Sequence, residues 1–184
     1  MINLNKLLKI LCFLAFIILF YGCDNDFREQ NEEYQKEILK RKTNSFEYFK
    51  STDEKIDNTF DRKKFYVPVY SHLYISENNY TRLSISLSIR NSDQIKDLFI
   101  ESVDYYNTQG ELVKKYLSQP HILKPMASID YFVSLEDMSG GHGAKFLVNV
   151  ASKDKTTLPI IQAVMLNKSG SSNLCFLSEA HLIK

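Results

Sequence analysis

Residues 83–90 alternate without a break: Leu83, Ile85, Leu87 and Ile89 are apolar, while Ser84, Ser86, Ser88 and Arg90 are polar. Successive side chains of a strand point to opposite faces, so this run describes a strand buried on one side only. Comparable runs recur at 65–75, 98–107, 112–118, 128–135, 145–151, 160–167 and 174–178, which makes eight expected strands. Turn chemistry separates them. Asn107-Thr108-Gln109-Gly110 places a glycine where a hairpin needs positive φ, and Pro120, Pro125 and Pro159 fall between strands or at their starts. No helical period of ten or more residues interrupts the series. Evenly spaced strands of this kind predict an all-β domain, an antiparallel immunoglobulin-like β-sandwich, with a closed barrel as the alternative. Ile160, Ile161, Ala163, Val164, Met165 and Leu166 are apolar on both strand faces and predict a central strand, and Phe146, Val148 and Val150 predict core.

The chain before these strands has a different character. Residues 1–9 carry Lys6 and Lys9, and residues 10–21 carry no charge, the basic-then-apolar order of a secretory leader. An apolar run of about 12 residues falls short of the roughly 20 that a membrane-spanning helix needs. Gly22-Cys23 at its end resembles the lipobox of bacterial lipoproteins, whose cysteine is lipidated and becomes the mature N-terminus. That resemblance implies a signal peptide over 1–22 and a lipid anchor on Cys23, with multiple acyl chains for stable membrane attachment. The expected location is the cell envelope, periplasmic or surface-facing.

Residues 24–64 hold 11 acidic and 10 basic side chains with no glycine or proline. Glu32 with Lys36 and Glu37 with Arg41 are i,i+4 pairs in the favourable acid-first order, which predicts a solvated helix over 27–42. Ser51 with Glu54 reads as a capping box, and Ile56 with Phe60 predicts a second short helix. The organisation expected is therefore a leader at 1–22, a lipidated N-terminus and charged, partly helical stalk at 23–64, and a β domain at 65–184.

Composition excludes several classes of function. The chain has 23 basic against 22 acidic residues, and loss of Lys6 and Lys9 with the leader tips the balance slightly acidic, so no nucleic-acid partner is expected. Of the three cysteines only Cys175 falls within the β domain, where it reads as a small core residue without a disulfide partner. His72, His121, His142 and His181 show no paired ligand spacing and read as solvated surface residues, so neither a metal nor another cofactor is expected.

Several segments taken together resemble one bacterial family. They are Tyr66-Val67-Pro68-Val69-Tyr70-Ser71-His72, Leu87-Ser88-Ile89-Arg90-Asn91, Asp104-Tyr105-Tyr106, Leu123-Lys124-Pro125-Met126-Ala127-Ser128 and Ser139-Gly140-Gly141-His142-Gly143-Ala144-Lys145-Phe146. In this order they resemble the family catalogued as domain of unknown function 3124, and the likeness covers the β domain without the stalk. It implies a secreted or lipid-anchored envelope protein and brings no activity with it.

Two stretches are candidate sites. Three of the five glycines after Cys23 fall at Gly140, Gly141 and Gly143, beside Asp137, Ser139 and His142. A hydrolase would use Ser139 as nucleophile, His142 as base and glycine amides as an oxyanion hole. A nucleophile elbow, however, is Gly-x-Ser-x-Gly between a strand and a helix, whereas Met138-Ser139-Gly140-Gly141 opens a strand, which favours a structural or ligand-contacting loop. In the first strand, period two brings Tyr66, Tyr70, His72 and Tyr74 to one face, and Pro68 between them confines that strand to an edge or a bulge. Such an edge would bind an envelope protein or a glycan through amphipathic rings, or else the rings cover the core. The function expected is a noncatalytic binding or assembly module, with the Ser139/His142 hydrolase as the alternative.

Overall fold

A computed structural model describes Lys36 and residues 46–153, 158–169 and 172–183, apart from the side chains at 168, 169 and 172. The leader, Cys23 and, Lys36 excepted, the helix expected over 27–42 lie outside the described residues. Residues 46–184 form one compact unit. Its strands in chain order are β1 (Phe49–Ser51), β2 (Asp61–Val69), β3 (His72–Ser76), β4 (Asn79–Arg82), β5 (Ser84–Arg90), β6 (Leu98–Tyr106) and β7 (Leu112–Lys115). They continue with β8 (His121–Leu123), β9 (Ser128–Val133), β10 (Ala144–Ser152), β11 (Ile160–Ser169), β12 (Ser172–Glu179) and β13 (His181–Ile183).

Two antiparallel sheets make the sandwich that the alternation predicts. The larger has the order β1-β8-β6-β10-β2-β13, with β7 also pairing on β6, and the smaller has the order β12-β11-β5-β9. Their inner faces meet along the alternating apolar positions. Phe65, Val67 and Val69 of β2 and Phe146, Val148 and Val150 of β10 are buried together with Ile85, Leu87 and Ile89 of β5 and Ile161, Ala163 and Met165 of β11. Each of these side chains larger than alanine contributes about 1.5–3 kcal/mol by leaving water, and among the described residues Cys175 is a free thiol. In β6 the register slips opposite Asn149 and Val150, so that Leu98 and Ile100 face the core before Glu101, and Val103 and Tyr105 after it. An extra residue in one strand is what allows both odd-numbered and even-numbered positions of one strand to be buried.

The expected strands are found, with one split. The run 65–75 is two strands, because the chain leaves the large sheet at Tyr70 and Ser71 to enter a separate hairpin of β3 and β4. The backbone of Ser71 is diverted into new bonds, donating from its amide to Gly141 O and accepting from the Leu83 amide. Pro68 sits in β2 beyond the three residues that β13 covers, so one flank of the strand is open there and no amide is needed on that side. Strands β1, β4, β8 and β13 carry three or four residues each, too few for a visible period.

The β structure begins before residue 65. Strand β1 pairs with β8 in the register Phe49↔Leu123, Lys50↔Ile122 and Ser51↔His121, and β2 starts at Asp61. The short helix expected around Ile56 and Phe60 is absent. Ser51 ends β1, the Glu54 amide is held by the Thr52 hydroxyl at 3.1 Å, and Phe60 lies edge-on against Phe99. A Thr two residues ahead of an amide satisfies it in a turn, which competes with helix capping.

Cys175 is a correction. It is exposed rather than core, because β12 directs it to the outer face of the small sheet, opposite Leu166 of β11. Strand β11 lies between β12 and β5, as a central strand should, yet Ile160, Val164 and Leu166 on its outer face are exposed among the described residues.

Candidate functional site

The glycine-rich segment is clamped in place by two neighbours. Thr108, in the turn after β6, donates its amide to Gly140 O at 2.9 Å and accepts from the Gly143 amide on its hydroxyl at 2.9 Å. Ser71 binds Gly141 O twice, from its amide at 3.1 Å and from its hydroxyl at 2.9 Å. These clamps bring the backbone close to other atoms. A methyl at Gly140 would overlap the Tyr105 hydroxyl and come within 2.8 Å of Ala144 Cβ, and at Gly141 it would overlap Thr108 Oγ1. Gly141 also has φ of 72°, a conformation in which a side chain is strained. Glycine is therefore required here by space and backbone angle.

This loop holds His142 beside His72. The ring centroids are 5.9 Å apart, and Tyr74 touches both rings, at 5.3 Å from His72 and 5.8 Å from His142. Tyr80, directly opposite Tyr74 across the hairpin of β3 and β4, completes the group at 5.3 Å from His72. His72 is buried, whereas Tyr74, Tyr80 and His142 are exposed. The Ser71 hydroxyl proton goes to Gly141 O, so its 3.2 Å contact with His72 Nδ1 requires the proton to be on Nδ1 and leaves Nε2 as the acceptor. Burial, reinforced by the electrostatic effect of His142, lowers the pKa of His72 below its ordinary 6.5. The group is therefore an aromatic surface, uncharged at His72 near neutrality, with ring faces and polar tips available for hydrogen bonding and stacking.

The residues singled out in the sequence separate into two sets. His72, Tyr74, Gly140, Gly141, His142 and Gly143 come together, but Tyr66 and Tyr70 do not join them. Tyr66 lies in β2 opposite His181, and Tyr70 is half-buried against Phe176. The single tyrosine face expected over 65–75 is broken by the exit of the chain at Ser71. Nor are all four histidines solvated: His72 and His121 are buried, the latter stacked on Phe49 at 4.6 Å. Among the described residues no three His, Cys, Asp or Glu side chains are grouped to hold a metal.

Three members were not visible in the sequence reading. Tyr80 was missed because the four residues of β4 show no period and the turn Glu77-Asn78 that leads into it lacks the glycine of the usual two-residue hairpin signals. Ser71 and Thr108 act through backbone contacts across about 70 and 30 residues, which no local pattern encodes. Ser139 donates its hydroxyl to Asp137 Oδ1, while the recorded ring neighbours of His142 are His72 and Tyr74. Tyr105 beneath Gly140 has a buried hydroxyl with no hydrogen-bond partner among the described residues, and burial and then Asp137 push its pKa up.

Comparison with known proteins fits the segments quoted above. Residues 62–183 match the model of a family described as "Protein of unknown function (DUF3124)". The chain belongs to this family. The DUF3124 match runs from the start of β2 to the end of β13 and so contains the whole aromatic group and its glycine loop. No curated protein matches the chain. A solved structure from Thermotoga maritima, titled "Crystal Structure of Thermotoga maritima 1070", is similar at 10% identity with a TM-score of 0.42, covering 65% of this chain and 92% of that one.

Proposed function

We propose that this protein is a lipid-anchored component of the bacterial cell envelope whose β-sandwich is a noncatalytic binding or assembly module. The observation that carries the binding role is the ring cluster of His72, Tyr74, Tyr80 and His142, half of it exposed tyrosine on a hairpin, and held from below by a loop with little freedom. Exposed aromatic rings with polar tips are costly to leave in water and suit stacking on sugar rings or packing against a partner protein. Two of the glycine amides that a hydrolase would use are already engaged: that of Gly143 donates to the Thr108 hydroxyl and that of Gly141 to Met138 O. The anchoring rests on the leader and on Cys23, through which the module would remain membrane-tethered.

Two experiments test the two parts. A photo-crosslinking residue at position 74 in intact cells should capture an envelope protein or glycan, and Tyr80→Ala with His142→Ala should abolish the product while the thermal transition stays cooperative. An unchanged product in that double variant would refute the site. Cys23→Ser should release the protein from membranes and remove acyl labelling; a variant that stays membrane-bound in carbonate washes refutes the anchor.

A further inference from the structure

The outer edge of β12 is unlike the other edges of the sandwich. Every second residue of an edge strand directs its N–H and C=O away from its partner, so an eight-residue strand paired on one side offers a template for another strand. Proteins blunt such edges with charge, proline or a covering side chain. At the opposite edge of the same sheet, β9 carries Asp130, and the Tyr116 hydroxyl binds Phe132 O at 3.1 Å. At the edges of the large sheet, β1 and β13 are three residues long. Strand β12, Ser-Asn-Leu-Cys-Phe-Leu-Ser-Glu, has neither proline nor Lys or Arg, its single charge lies at the last position, and among the described residues it pairs only with β11.

Apolar exposure is concentrated beside that edge. On the outer face, Leu177 and Cys175 of β12 lie opposite Val164 and Leu166 of β11, and all four are exposed. One strand further in, the same face of β5 is Ser84, Ser86, Ser88 and Arg90. Toward the other sheet, Pro68, Tyr70, Leu73, Phe176 and Leu177 line an open groove of about 450 Å³ along β12. The exposed apolar side chains thus continue from the unpaired edge of β12 onto its neighbour β11 and give way to serine on β5.

We infer that β12 pairs antiparallel with β12 of a second copy of this chain, joining two small sheets into one of eight strands around a two-fold axis. The near absence of charge favours a second copy. An antiparallel match centred on Cys175 or Phe176 keeps inner faces with inner and outer with outer. It also sets Glu179 away from the partner's Glu179, so nothing repels and no charged foreign strand is selected. Leu174 and Leu177 then pack on the partner instead of facing water.

Cys175 supplies the test, because its side chain stands on the outer face and stays accessible when the edge is paired. Full-length protein in native membranes is treated with a short bis-maleimide and resolved on denaturing gels. The expected result is a covalent dimer that is absent in Cys175→Ser and reduced about tenfold or more in Leu177→Lys, where a buried charge at the edge opposes pairing. Leu177→Lys should keep the parental thermal transition, since Leu177 is exposed. A chain that remains uncrosslinked overturns the inference, as does a dimer undiminished in Leu177→Lys. A product containing a different polypeptide in place of the second copy would also overturn it.

Discussion

The glycine loop and the edge of β12 handle their backbone groups in opposite ways. In the loop, the carbonyls of Gly140 and Gly141 and the amide of Gly143 each have an internal partner, and the approach is so close that no side chain fits at Gly140. Along β12, the donors and acceptors of one side face outward with exposed leucines beside them. A segment satisfied from within can hold side chains such as His142 in a fixed position, whereas a segment left unsatisfied supplies the contact itself.

The contrast breaks first at Gly140. Gly140→Ala should cost about 3 kcal/mol, since the new methyl must displace the buried Tyr105 ring or Ala144. Urea unfolding measures it, and a loss under about 1 kcal/mol would mean that the loop yields readily. Thr108→Val is the next largest. It removes the acceptor for the Gly143 amide and a donor to Gly140 O, for an expected loss of about 1–2 kcal/mol, most of it regained in Thr108→Ser.

A smaller effect depends on pH. The folded-state pKa of His72 lies below the ordinary 6.5, so between the two values the unfolded chain binds more protons. Stability from this group is present above 6.5 and declines as pH falls below it toward the folded-state value. The urea midpoint should drop between about pH 7.5 and about pH 5.5, and less so in His72→Phe. Equal drops in both proteins would remove His72 as the source. Smallest of all, Leu177→Lys should change the stability of the fold by no more than about 0.5 kcal/mol, because the edge asks nothing of that side chain within one copy. A larger loss would place Leu177 in the fold itself and weaken the comparison.

Legibility in the sequence followed the range of the interactions. The alternation in 83–90 identifies β5 and its buried face because period two is local, and the same holds for β10, whereas β11 is apolar on both faces and its sequence does not say which one is covered. The clustered glycines pointed to a structural or ligand-contacting loop, but the side chains they pack against, Tyr105 and Thr108, lie about 35 residues away. Period two also misled: it placed Tyr66 and Tyr70 with His72 and Tyr74, since it assumes an unbroken strand, and the diversion of Ser71 to Gly141 was invisible to it.

By itself the sequence determined the class of fold, the buried faces of β5 and β10 and the family, because each depends on residues near one another in the chain. It also supports the leader reading at Cys23. Only the tertiary structure decided that His72 and His142 share a surface, that Cys175 faces outward and that β12 ends its sheet. Strand order is set by which strands bury the most apolar surface against each other after collapse. Two outer faces with the same alternation can therefore end up covered or open.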